Sequence, residues 1–256
     1  MPEGSHQFQV GSIRCTVLSD GYYSYPAAWF FPNADPRDLS GALACRRLPP
    51  DDVLSPYTCL LIETGRHIAL VDTGAGDYSA TSGAILVRLQ TAGIRPRDVD
   101  TVILTHAHPD HLLSYDLMTV ATGAPVCAHE DETGIPPEKV ERRLTDGEKL
   151  PLGEERVIVI HTPGHTPGSI CLLAGGHLIA GDTLFPGGPG HTDRPEELRR
   201  EIQSIVERLY VLPDGTIVHP GHGDDTTIGE SKREYAVFAS REHPPDLCGD
   251  VTWGGS

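Results

Sequence analysis

The sequence predicts an α/β fold in which two β-sheets face one another as a sandwich. Three observations carry that reading. Apolar, strand-like runs recur along the chain, and several end in polar, glycine-rich turns. Each half holds strands followed by helical segments, a pattern of packed layers rather than of two independent domains. The 256 residues, 38% hydrophobic, suffice for one large core. We therefore expect a single domain over 1–256, with an aromatic and Pro-rich N-terminal segment at 22–52 and a short C-terminal extension at 224–256.

In chain order, residues 8–18 read as a strand closed by the turn signal Ser19-Asp20-Gly21. Tyr22, Tyr23, Tyr25, Trp29, Phe30 and Phe31 follow, either as a substrate-pocket wall or as a lid over a sheet edge. Residues 32–52 read as irregular chain or short helix. Strands at 58–63 and 67–72 form a hairpin across Thr64-Gly65-Arg66. Residues 85–92 have helical spacing, and Gly93 stands where a helix-terminating glycine belongs. Val102-Ile103-Leu104 is a buried strand. Short strands follow at 125–128 and 156–160, then a hairpin at 169–173 and 177–180. An amphipathic helix at 196–209 places Leu198, Ile202, Ile205, Val206 and Leu209 on one face. A last strand covers 216–218. The tail holds a helical stretch at 235–238, after which Leu247, Val251 and Trp253 pack back; Trp253 could instead serve an interface or a substrate wall.

The formal net charge of −16 makes nucleic acid and anionic membranes poor partners. No run of ~18 apolar residues is present to span a bilayer. Residues 1–10 carry neither a basic nor an apolar leader pattern. The six cysteines form no C-x-x-C pair. Cys59, Cys127 and Cys171 sit in apolar runs as small hydrophobes. The expectation is a cytoplasmic protein acting on a small molecule, with no nucleic-acid or membrane partner; the oligomeric state is not legible.

Chemistry concentrates in Thr105-His106-Ala107-His108-Pro109-Asp110-His111, three imidazoles and a carboxylate within six positions. The stretch begins where a strand ends. His106 and His108 share one side of extended chain, and Pro109 can open a helical turn that redirects it. Imidazole nitrogen and carboxylate oxygen are donors for zinc and similar divalent metals. His165, Asp182 and His222 also follow apolar runs, in glycine-rich contexts. Seven such groups exceed one tetrahedral zinc and suit two metals sharing a carboxylate. Ser114, Ser169 and Cys171 lie near these motifs without any mark of activation. His161 and His219 read first as strand-end polar groups, His129-Glu130-Asp131 as a solvated turn. His6, His67, His177, His191 and His243 read as isolated surface or turn residues. Gly187-Gly188-Pro189-Gly190 reads as a flap or a rigid turn beside Asp182.

The H-x-H-x-D-H stretch, with Leu70-Val71-Asp72-Thr73-Gly74, His161-Thr162-Pro163-Gly164-His165-Thr166-Pro167-Gly168, Gly181-Asp182-Thr183-Leu184-Phe185 and Pro220-Gly221-His222-Gly223, resembles the metallo-β-lactamase superfamily. The resemblance spans roughly residues 57–223. It implies a four-layer αββα sandwich, two mixed sheets with outer helices and the metals at one edge. It implies two divalent ions, zinc with iron or manganese as alternatives. One would be held by His106, His108 and His165, the other by Asp110, His111 and His222, with Asp182 bridging and Asp72 buttressing ligands. It implies a hydrolase that uses a metal-bridging hydroxide on a small ester, lactone or thioester, with Asp110 also orienting that nucleophile or taking its proton. Asp182 disfavours the β-lactamases, whose corresponding position is usually Cys or Ser. The 181–188 segment resembles glyoxalase II-like thioesterases, whose glutathione-gripping helical domain after the last ligand is longer than the 34 residues that follow His222, which argues against a glutathione thioester. Asp20-Gly21-Tyr22 and the aromatic segment resemble the lactonase branch. The glycines that commonly follow H-x-H-x-D-H are replaced by Leu112-Leu113-Ser114. A mononuclear iron persulfide dioxygenase, a nuclease and a non-catalytic binding protein on the same fold are the alternatives within the superfamily.

Overall fold

The computed structural model describes residues 6–30, 35–45, 48–152 and 155–254, without the side chain of Phe30. The readings of Phe31, of 32–34 and of 46–47 lie outside the described residues. The first sheet has seven strands in chain order. Strands β1 (His6–Val10), β2 (Ile13–Pro26), β3 (Asp52–Glu63) and β4 (Ile68–Val71) pair antiparallel. Strands β5 (Thr101–Ile103), β6 (Val126–His129) and β7 (Arg142–Leu144) continue in parallel. The second sheet draws on β8 (Lys149–Leu152), β9 (Glu155–His161), β10 (Ile170–Ala174) and β11 (His177–Gly181). After a two-stranded ribbon, β12 (Leu184–Phe185) and β13 (Gly188–Pro189), it is completed by β14 (Ile217–Pro220) and β15 (Thr226–Thr227). Its order is β15-β14-β11-β10-β9-β8, with β11 and β14 parallel.

Alternation along the strands explains the layering, since neighbouring side chains face opposite sides of a sheet. Leu60, Ile62, Ala69, Val71, Val159 and Leu172 fill the space between the sheets. Their neighbours Cys59, Leu61, Leu70 and Val102 face outward, against Ile85, Leu89 and Met118 of α3 (Ile85–Thr91) and α5 (Tyr115–Thr122). On the far side Cys171, Leu178 and Ala180 pack on Leu198, Ile228 and Phe238 of α6 (Pro195–Ser204) and α7 (Ile228–Ala239). Three apolar interfaces thus separate four layers, the expected αββα order. Helices α1 (Ala27–Phe30), α2 (Pro36–Cys45) and α4 (Pro109–Leu112) lie in connections.

Several expectations need correction. The chain turns at Gly11, with φ +58°, so a β1–β2 hairpin replaces one strand over 8–18. Ser19-Asp20-Gly21 is a bulge inside β2, not its end. Asp20 turns inward and accepts backbone N–H groups of Ala75 at 2.8 Å and Ile85 at 2.7 Å, tying down the loop before α3. The 32–52 segment, by contrast, contains a short helix as expected, the ten-residue α2. The amphipathic segment is α6 followed by a π-helical stretch, Ile205–Leu209, with Leu198, Ile205 and Leu209 buried. The tail helix is longer than expected because Thr227 caps it by accepting the Glu230 N–H. Trp253 is fully buried, with its ring 4.9 Å from Phe238 and 5.2 Å from Tyr235. It packs back on the core, which removes the interface and substrate-wall readings for that residue.

Candidate metal centre

Strands β5, β9, β11 and β14 all deliver their C-terminal ends to one edge. After β5, His106 and His108 lie in extended chain, and Pro109 occupies the first turn of α4, which carries Asp110 and His111. His165 follows β9, Asp182 follows β11 and His222 follows β14. The structure brings all seven residues together. Donor atoms of His106, His108 and His165 lie within 4.8 Å of one another, and so do those of Asp110, His111, Asp182 and His222. Asp182 stands between the groups, its oxygens 3.8 Å from His165 Nε2, 3.4 Å from His111 Nε2 and 3.3 Å from His222 Nε2. Asp110 Oδ2 is 3.0 Å from His222 Nε2. Gly221 serves close approach rather than a sharp turn. A Cβ there would meet Asp182 Oδ1 at 2.3 Å and His111 Cε1 at 2.8 Å.

The imidazoles are aimed by their outer nitrogens. His165 Nδ1–H donates to the His191 carbonyl at 2.8 Å, and His222 Nδ1–H to the Pro56 carbonyl at 2.6 Å. His111 Nδ1–H donates to Asp72 at 2.9 Å. His106 Nδ1 lies 3.0 Å from Thr105 Oγ1, which itself donates to Asp72. Asp72 therefore orients two of the histidines, one directly and one through Thr105, and it also accepts the Thr105 N–H at 2.8 Å. It does so from a left-handed backbone conformation, φ +62°. Occupying Nδ1 aims Nε2 inward, the arrangement typical of metal-binding imidazoles.

Three inward atoms are buried without a close hydrogen-bond partner: His106 Nε2, His165 Nε2 and Asp182 Oδ1, the last facing the His111 ring at 3.4 Å. Buried polar atoms are rarely left so. Burial holds the His106 imidazole well below its ordinary range and takes that of His165 to about 4, so both are neutral donors. Burial also depresses His111 and His222, but the Asp182 and neighbouring carboxylates outweigh it, raising His222 to about 10 and His111 well above its usual value. Burial pushes Asp182 and Asp110 up, yet the charges of His111 and His222 and the hydrogen bonds from their rings hold both carboxyls low. Imidazolium protons thus supply the positive charge that two buried carboxylates demand. A divalent cation would supply it as well, and would also use the unpaired lone pairs. The donor set fits such ions.

The remaining polar residues sort by contact. His219 pairs with Asp225 at 2.9 Å and with His177 at 3.0 Å, away from the seven. His129 is buried and stacked on His161, centroids 3.8 Å apart, so the solvated-turn reading is corrected. His243 stacks on Phe238 at 3.7 Å. His191 is exposed, as expected, but not isolated: its carbonyl holds His165 and its ring lies 3.0 Å from Asp250. Residues 187–190 belong to the β12–β13 ribbon and its flank, where the Gly187 N–H donates to Glu234 and the Gly190 N–H to Glu201, each at 3.0 Å. Tyr25 and Trp29 line the cavity beside the cluster, as the pocket-wall reading of the aromatic segment expects. Tyr25 bonds Tyr57 at 3.0 Å, and the Tyr57 ring lies 5.6 Å from His222. Sequence reasoning missed Thr105, Tyr57 and Asp250. For Thr105 the signal was its place between a strand and the first histidine.

A family model described as the metallo-beta-lactamase superfamily matches residues 53–235. A hydroxyacylglutathione hydrolase of Anaeromyxobacter dehalogenans is 35% identical over 166 residues, 65% of this chain and 60% of that protein. Among solved structures, the dizinc quorum-quenching lactonase AidC superposes with a TM-score of 0.68 at 21% identity, covering 86% of this chain and 90% of that one. TTHA1623 in a di-iron-bound form superposes with a TM-score of 0.58 at 31% identity, covering 70% and 93%. Among the described residues no helix is long and apolar enough to cross a membrane.

Proposed function

This chain belongs to the metallo-beta-lactamase superfamily, and on that footing we propose that it is a dinuclear metal-dependent hydrolase of a small ester, lactone or thioester. One observation carries the reading: three buried, unpartnered donors converge where Asp182 lies between two groups of ligand-type residues. In this reading His106, His108 and His165 hold one cation, Asp110, His111 and His222 hold the other, and Asp182 is shared. The nitrogen and oxygen donors suit zinc, with iron or manganese as alternatives. The related TTHA1623, solved with two irons, supports the count.

Bound divalent ions supply an acidified water and a positive field for the carbonyl oxygen. The chain supplies the rest. Asp110, held as a carboxylate beside His222, orients the attacking water and accepts its proton. Asp72 keeps His106 and His111 aimed, so the donors need no rearrangement. No side-chain nucleophile is required. The Cys171 thiol is buried and pushed up to about 11 by that burial, and Ser169 is engaged by Thr166. The test is a panel of aryl esters, lactones and acyl thioesters. At least one should be hydrolysed in a chelator-sensitive manner, and Asp182→Asn should cut that turnover about a thousandfold with an unchanged circular dichroism spectrum. Chelator-insensitive hydrolysis, or near-normal turnover in the variant, would overturn the proposal.

A further inference from the structure

The cavity beside the cluster measures about 580 Å³, a size suited to a small ligand. Much of its wall is apolar. Tyr25 and Val53 face one another across β2 and β3, and Trp29 stands 65% exposed beside them. Phe185 and Pro186 of the β12–β13 ribbon add to it. The tail closes the side next to His165. Gly249 bridges Thr192, and the Trp253 N–H donates to the Gly187 carbonyl at 2.6 Å, which lays Asp250, Val251 and Thr252 along the wall. Gly188 is crossed so closely that a Cβ there would meet the Val251 carbonyl at 2.4 Å.

The charge of this wall is one-sided. Asp250 Oδ1 is 3.0 Å from His191 Nδ1, and His191 Nε2 is 3.4 Å from Asp193 Oδ1. One imidazole between two carboxylates leaves the rim negative even when the ring is protonated. Among the described residues, no lysine or arginine lines the cavity. Cations held by the seven-residue cluster would sit at the reacting end, not along this wall.

We infer that the substrate is uncharged away from its reacting carbonyl, carries an apolar acyl arm, and is selected against negative charge by Asp250. The inference rests on the hydrolase reading above and narrows it. An alkyl arm gains about fourfold in affinity per buried methylene against Trp29, Val53 and Val251. A carboxylate or phosphate on that arm would meet no lysine or arginine among the described lining residues, and would face Asp250, which already pairs with His191. Peptide-like thioesters with free carboxylates are therefore disfavoured, and neutral acyl esters and lactones favoured.

Phenyl hexanoate and monophenyl adipate test this, since they differ by a terminal carboxylate on an arm of equal length. The neutral ester should have a kcat/KM about a hundredfold higher, chiefly through KM, with the gap narrowing in 1 M salt. Asp250→Lys should shrink the ratio tenfold or more, and Asp250→Asn about threefold. Trp29 is the exposed tryptophan and Trp253 the buried one, so fluorescence titration with the matching anilides reads the same preference without turnover. Equal kcat/KM for both esters would overturn the inference and leave the hydrolase reading standing. So would an unchanged ratio in an Asp250→Lys protein that keeps its thermal transition. Hydrolysis of neither ester, combined with equal anilide binding, would remove both.

Discussion

Two clusters in this molecule read alike as sequence and differ as chemistry. One contains His106, His108, Asp110 and His111; the other contains His129, Asp131 and His161. In the first, four outer nitrogens are taken by carbonyls, a carboxylate and a threonine, so the inner nitrogens converge, those of His106 and His165 without a partner and those of His111 and His222 facing Asp182 and Asp110. In the second, His129 Nδ1 accepts the Asp131 N–H at 3.2 Å and His161 Nε2–H donates to the Pro167 carbonyl at 2.9 Å. The two rings lie nearly parallel, 19° apart, so their in-plane lone pairs do not converge, and Asp131 is 61% exposed. One buried atom is left unpartnered there, His129 Nε2, against three in the first cluster. Donor identity alone therefore does not make a metal site. What matters is which nitrogen the surrounding structure has already used.

Four substitutions break or sharpen this contrast, from the largest expected effect to the smallest. Asp110→Asn keeps a ligand-sized side chain but removes the proton acceptor. It should lower kcat about a hundredfold while KM moves far less. A loss confined to KM in steady-state kinetics would take the proton-handling role away from Asp110. Asp72→Asn tests the orientation of the donors. Metal affinity, followed by competition with a chromogenic chelator, should fall roughly 10–100-fold. Unchanged affinity would mean that the Asp72–Thr105–His106 chain is ornamental.

Glu201 sharpens the contrast from the opposite direction. This carboxyl is fully buried and receives one backbone N–H, from Gly190 at 3.0 Å, while Oε2 has no partner. Burial raises it well above the usual carboxylate range, only partly opposed by the Gly190 hydrogen bond and reinforced by the Asp182 charge. The folded protein therefore holds a proton that the unfolded chain releases above about pH 4.3, and stability from this group is lost as pH rises past that value. Glu201→Gln should leave Tm nearly unchanged at pH 4 and raise it by about 3 °C at pH 8. Equal shifts at both pH values would contradict the assignment. His161→Ala completes the set. It should lower stability by about 1 kcal/mol through lost stacking and leave the metal content untouched. A loss of bound metal equal to that of His165→Ala would erase the distinction between the clusters.

Much of the centre was legible because its donors lie in short local patterns. His106 to His111 are contiguous, and His165, Asp182 and His222 each follow an apolar strand. The four-layer order came from the family resemblance, and the structure shows the physical counterpart: the unbroken apolar runs of β3 and β4 are buried on both faces. What stayed hidden is held by backbone or by distant chain. The carbonyls of Pro56 and His191 orient two histidines, and a carbonyl has no side-chain signature. Asp20 reads as a turn residue until the backbone N–H donors of Ala75 and Ile85 that it accepts are known. Asp250 reaches the pocket only because Gly249 bridges Thr192, a pairing that no local pattern announces. His129 misled for the reverse reason, because an acidic neighbourhood in sequence looks solvated whether or not the ring is buried.

The central claim is that the first cluster holds two cations and the second none. Elemental analysis of protein purified without added metal, with His165→Ala and His161→Ala alongside, tests it most directly. The account predicts about two zinc, manganese or iron ions per chain in the wild type and in His161→Ala, and a reduced content in His165→Ala. About one iron per chain, with oxygen uptake on persulfides, would contradict it and favour a mononuclear oxygenase on the same fold.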